Sequence, residues 1–92
     1  MLAIDIKTVG DSIVVPGVAG KRITLKRLTL AALAPVTVYV KHGSSRLFQL
    51  DVKVQAEDCS DFCPFVFNEG DGFVLSTDDA VPFGGFAEFE QA

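Results

Sequence analysis

The stretch VTVYVKHGSSRLFQLDVKV (residues 36–54) decides the fold. Val36, Val38 and Val40 fall on one face of an extended chain, and Phe48, Leu50, Val52 and Val54 fall on one face of the next. Side chains alternate across a strand, so the two rows reach one core only if they sit opposite each other in register. Pairing Val40 with Phe48, Val38 with Leu50 and Val36 with Val52 meets that condition. The register predicts a hairpin with an odd-numbered loop, either residues 43–45 or residues 42–46, in which Gly43 supplies any positive φ. His42, the single histidine of the chain, then sits at a hairpin tip.

The same alternation runs outward in both directions. In LAIDIK, Leu2, Ile4 and Ile6 share one face and Asp5 and Lys7 the other. SIVV is a further strand, stopped at Pro16, and VPGVAGKR is turn chemistry. In RITLKRLTL the apolar phase slips by one at Lys26–Arg27, which predicts a β-bulge or a change of face. AALAP is too short to nucleate a helix before Pro35 ends it, so it is an extended or turn-like connection. QAEDCSDFC (residues 55–63) is an acidic loop, PFVF and FVLS are short strands around the NEGDG turn, and FAEFE alternates to the end. The pattern predicts one domain over residues 1–92. Its class is all-β, an antiparallel β-sandwich or jelly-roll-like barrel of seven or eight short strands.

Composition agrees. Hydrophobic residues make up 49% of the 92-residue chain, with eight Phe, enough for one modest core. No apolar run approaches the roughly 18 residues of a membrane span, and MLAIDIKTVG lacks the basic and apolar regions of a signal peptide. Folding in the cytoplasm and no membrane partner are the expectations. The net charge of −4 is unevenly spread: residues 1–53 hold all eight Lys and Arg against three acids, and residues 54–92 hold nine acids and neither Lys nor Arg. Either strands from the two halves interleave and their charges neutralise, or the folded unit has opposite poles suited to contacts between copies or with a charged partner. Few basic residues and no readout motif argue against nucleic acid.

No catalytic residues are proposed. His42 has no acid, cysteine or second histidine beside it, and one histidine cannot build a zinc or cupin-type site. No cofactor is expected. Cys59 and Cys63 are not a C-x-x-C pair; two reduced thiols is the first reading and a small-loop disulfide the alternative. Asn68, Glu69, Asp71, Asp78 and Asp79 are oxygen donors, but without EF-hand spacing they read as turn residues before a calcium site. Phe62, Phe65, Phe67, Phe73, Phe83, Phe86 and Phe89 crowd the last third, so some are expected at an interface between copies.

Four segments carry a resemblance: PGVAGKRITLKRLTLAAL (residues 16–33), VTVYVKHGSS (residues 36–45), EGDGFVLSTDDAVPFGG (residues 69–85) and FAEFEQA (residues 86–92). Their layout resembles small β-sandwich structural proteins of tailed-phage virions. The chain departs from that pattern in its middle, where CSDFCPFVFN replaces a Gly-Trp-Phe segment. The resemblance implies a non-enzymatic capsid decoration or cement protein on the virion surface. Its partners would be the major capsid protein and copies of itself, a trimer being favoured. A tail or fibre module binding a host receptor or glycan is the alternative. On the decoration reading, Lys21, Arg22, Lys26 and Arg27 should meet acidic surface, on the capsid or around Glu57, Asp58 and Asp61 of another copy.

Overall fold

A computed structural model describes residues 2–42 and 45–92, with the backbone alone at His42 and Ser60. Nine strands form: β1 (Leu2–Ile6), β2 (Gly10–Val15), β3 (Ile23–Ala32), β4 (Val36–His42), β5 (Ser45–Val52), β6 (Glu57–Asp58), β7 (Phe65–Val66), β8 (Phe73–Thr77) and β9 (Phe83–Gln91). They build a β-sandwich of two antiparallel sheets. Sheet A has the order β1-β9-β3-β6, with β7 also pairing β3; sheet B has the order β2-β8-β4-β5. The count exceeds the expected seven or eight because the segment read as an acidic loop, residues 55–63, holds a two-residue strand, β6, before the 3-10 turn at Ser60–Phe62, while β7 is the strand expected in PFVF.

The hairpin register is the expected one, with Val36 opposite Val52, Val38 opposite Leu50 and Val40 opposite Phe48. The loop differs. The register shifts after Val40, so that Lys41 faces Arg46 and His42 faces Ser45, leaving Leu47 as the extra residue. An odd count between the apolar rows is thus absorbed by a bulge within β5 rather than by a three- or five-residue loop. Gly43 and Ser44 lie outside the described residues. In β3 the register shifts between Leu25 and Arg27, so the phase slip at Lys26–Arg27 is a β-bulge. It returns Leu28 and Leu30 to the side already occupied by Ile23 and Leu25, and all four are fully buried.

Sheet A contributes Ile4, Ile6, Ile23, Leu25, Leu28, Leu30, Phe83 and Ala87 to the core; sheet B contributes Val15, Val36, Val38, Val40, Val52, Phe73 and Leu75. The two flanks of the sandwich differ. On one, the segment from β6 to Phe67 leaves the β3 edge of sheet A and closes over β5 of sheet B. Phe62 stacks on Phe48 with centroids 4.4 Å apart, and Phe65 meets Phe48 edge-on at 5.1 Å. Phe65 then meets Phe67 at 5.0 Å, and Phe67 meets Phe73 at 5.7 Å. This aromatic row explains most of the Phe crowding within one copy: Phe67, Phe73 and Phe83 are buried and Phe62, Phe65 and Phe89 pack against the core. Phe86 is different, at 52% exposed. On the other flank β1 and β2, the edges of the two sheets, bound an open cleft.

Candidate interaction surfaces

The expected basic and acidic residues separate into two groups. Lys26 and Arg27 stand on the bulge of β3, where cross-strand geometry gives them partners in the same chain. Lys26 pairs with Glu90 at 3.6 Å and Arg27 with Asp58 at 3.7 Å. Lys53 pairs with Glu57 at 3.8 Å, and Arg46 holds Asp78 through two hydrogen bonds of 2.9 and 3.1 Å. Each of these four pairs joins the basic half of the sequence to the acidic half, so interleaving of the strands neutralises much of the asymmetry within the fold. Lys26 and Arg27 thus have partners within the chain while both side chains stay about half exposed.

Lys21 and Arg22 remain exposed, with no ion pair among the described residues. Their turn is held by backbone. Lys21 N donates to Val18 O at 3.0 Å, Gly70 N to Lys21 O at 2.9 Å, and Arg22 and Ala92 exchange bonds of 2.9 and 3.1 Å. Gln91 Nε2 also donates to Pro16 O at 2.9 Å. Gly17 lies so close to Gly70 O that an added Cβ would stand 2.2 Å from it. The two glycine turns therefore pack backbone on backbone, and Val18, Lys21 and Arg22 project from a fixed base.

The acidic residues line a groove of about 320 Å³ beside β5. The stacked rings of Phe48 and Phe62 form part of its wall, and Asp51, Glu57, Asp58 and Asp61 bring carboxylates around it. Glu57 and Asp58 are positioned by pairing with Leu30 and Thr29 of β3, and Asp61 by the 3-10 turn. Cys59 and Cys63 flank that turn as free, partly buried thiols. Burial raises both thiol pKa values; Glu57, Asp58 and Asp61 add to the effect on Cys59, and Asp58 to that on Cys63. Asp51 and the ring pair were not singled out from the sequence. The hairpin register, which puts Asp51 opposite Thr37 on the outer face of β5, was the available signal.

The outer faces of the two sheets contrast. Sheet B carries polar contacts across its strands, with Ile13 exposed on its edge strand β2: Lys41 Nζ donates to both carboxylate oxygens of Asp11 at 2.9 and 3.0 Å, and the Arg46 guanidinium lies 3.9 Å over the Tyr39 ring. Sheet A presents Phe86 between Thr29 of β3 and Ala3 of β1. From there small residues, Ala31 and Gly84, lead to an apolar end where Leu33 is 78% and Val54 61% exposed. Sequence reasoning placed Phe86 in the crowd of rings; its phase, opposite to Phe83, Ala87 and Phe89, was the mark that sets it outward.

The hydrogen bond from Lys41, with a further one from Ser76, holds the Asp11 carboxyl below its ordinary pKa. A lowered folded pKa contributes stability above the unfolded value of about 4, and loses it as pH falls through the folded value. Asp11→Asn should therefore melt below wild type at pH 7, with the gap closing under acid conditions. Thermal melts of both proteins across pH 2–7 check this (the window in which carboxylates titrate, roughly); a constant gap would contradict it.

The oxygen donors read first as turn residues, with calcium as the lesser alternative, do not converge. Asn68–Asp71 and Asp78–Asp79 lie in turns at opposite ends of β8, and Asp78 is taken by Arg46. Among the described residues no group of three or more His, Cys, Asp or Glu could hold a metal ion, and no helix is long and apolar enough to cross a membrane. Comparison with known protein families, curated proteins and solved structures finds no match to this chain.

Proposed function

We propose that the chain is a non-enzymatic structural protein of a tailed-phage virion, specifically a capsid decoration protein that bridges capsid subunits on the outside of the shell. The observation that carries this reading is the difference between the outer faces of the two sheets. Sheet B carries the Lys41–Asp11 and Arg46–Asp78 pairs and the Arg46–Tyr39 contact across its strands, with Ile13 exposed on the edge strand β2. Sheet A offers a shallow apolar band from Phe86 through Ala31 and Gly84 to Leu33 and Val54, edged by the Arg27–Asp58 and Lys7–Asp5 pairs. A sheet face built from small residues with one protruding ring suits a broad, low-relief partner, and the charged rim orients it. Copies repeated by the symmetry of a shell would hold by avidity without any single tight contact. The resemblance of the sequence layout to small virion sandwich proteins is in keeping with this reading, with the major capsid protein and other copies of the chain as the proposed partners.

The test is cosedimentation of the purified chain with shells assembled from the major capsid protein of the phage that encodes it. Wild type should saturate the shell at a fixed ratio. Phe86→Asp should lower occupancy by roughly tenfold or more, because it buries a charge in the contact. The fold should survive, since the ring is already half exposed. Undiminished occupancy in a folded Phe86→Asp protein would overturn the assignment of this face.

A further inference from the structure

We propose that the basic turn at residues 16–22 of one copy docks into the acidic, ring-walled groove of a second copy, joining copies head to tail. Both halves of the contact are visible in one chain. The knob is prepared for binding: its backbone is fixed by five hydrogen bonds and the Gly17–Gly70 approach, while Val18 is 42% exposed and Lys21 and Arg22 have no ion pair among the described residues. Little conformational freedom is left to lose on docking. The groove is its complement: Asp51 and Asp61 are likewise without an ion pair among the described residues, and the Phe48–Phe62 stack offers an apolar surface for a side chain such as Val18.

The two surfaces cannot meet within one molecule. The groove abuts Thr29 and Leu30 through β6, and Arg22 lies at the start of the same extended strand. At about 3.3 Å per residue, roughly 20 Å of rigid β3 separates them. Lys26 and Arg27, which lie between, are already paired with Glu90 and Asp58. A second copy supplies the knob without distortion. Because the patches differ, the contact is heterologous, and it closes into a ring or continues as a filament according to the rotation per copy. It holds or fails independently of any capsid role, since the isolated chain carries both surfaces.

The experiment measures native mass by sedimentation velocity over a concentration series at low and high salt, for wild type, Lys21→Glu/Arg22→Glu and Asp51→Lys/Asp61→Lys. All four positions are exposed, so each variant should melt like wild type. Wild type should associate at low salt and dissociate near 1 M salt, where charges are screened beyond roughly 3 Å. Each variant should self-associate at least tenfold more weakly, since like charges now face each other (about 1.4 kcal/mol per tenfold). An equimolar mixture of the two variants should recover association, because the unaltered basic knob of the groove variant fits the unaltered acidic groove of the knob variant. A wild type that is monomeric throughout, variants that associate like wild type, or a mixture that stays monomeric would each overturn the proposal.

Discussion

Replacing Gly85 with alanine should cost the domain about 3 kcal/mol or more, a large share of the 5–15 kcal/mol that holds a typical domain folded. Gly85 lies in β9, the strand bonded to both β1 and β3 at the middle of sheet A. A Cβ built there would stand 1.8 Å from Thr29 O, 2.8 Å from its carbonyl carbon and 3.0 Å from the Leu30 Cα. All three are backbone atoms of β3, so no rotamer change relieves the clash. Relief requires β9 to move off β3, loosening a ladder that runs from Ile23–Gln91 to Ala32–Phe83. The φ of 153° adds strain to the same substitution. Urea denaturation of Gly85→Ala against wild type measures this, read from the midpoint at unchanged slope. A loss below about 1 kcal/mol would mean that the two strands are farther apart than described, since overpacking of this kind costs about 1–3 kcal/mol by itself.

The second large effect is expected at Phe67, where alanine should remove about 3–5 kcal/mol. The ring is 2% exposed and links the aromatic flank to the core, meeting Phe65 at 5.0 Å and Phe73 at 5.7 Å. Its backbone N also donates to Ile23 O at 2.9 Å. Residues 57–67 are tied to sheet A by the β6 and β7 pairings with β3 and by the Cys59 N–Leu28 O bond, but their closure over sheet B rests on the ring row, so the loss of Phe67 should be felt first in that segment. Cys59 and Cys63 report on it directly. Both thiols are partly buried with raised pKa, which keeps them protonated and slow to alkylate at neutral pH. In Phe67→Ala their alkylation should accelerate while the protein is still folded. If stability falls and the thiols stay as slow as in wild type, the segment does not depend on Phe67 for closure.

Both predictions fall where pattern and packing diverge, and that division describes the chain generally. The β4–β5 register and the β3 bulge could be read from residues because each turns on which side of a strand faces water. A phase slip at Lys26–Arg27, or three Val–partner pairs in step, admits few arrangements once a single core is assumed. The closing segment could not be read in this way. CSDFCPFVFN has no sustained period, and its position is set by rings touching rings across sheets rather than by any local preference. The hairpin loop was misjudged for a related reason: a bulge at Leu47 changes parity without altering composition. For the interaction surfaces, charge counting located the basic turn and the acidic group. Which cations were already occupied depended on β3 lying beside β6 and β9, a topology that residue order leaves open.

The measurement that tests the central claim most directly is the number of copies of this chain per purified phage particle, determined by quantitative mass spectrometry against the major capsid protein. A decoration protein should be present in hundreds of copies, in a simple ratio to the capsid subunit. A handful of copies would instead make it a tail or fibre component, and its absence from the particle would contradict a virion role altogether.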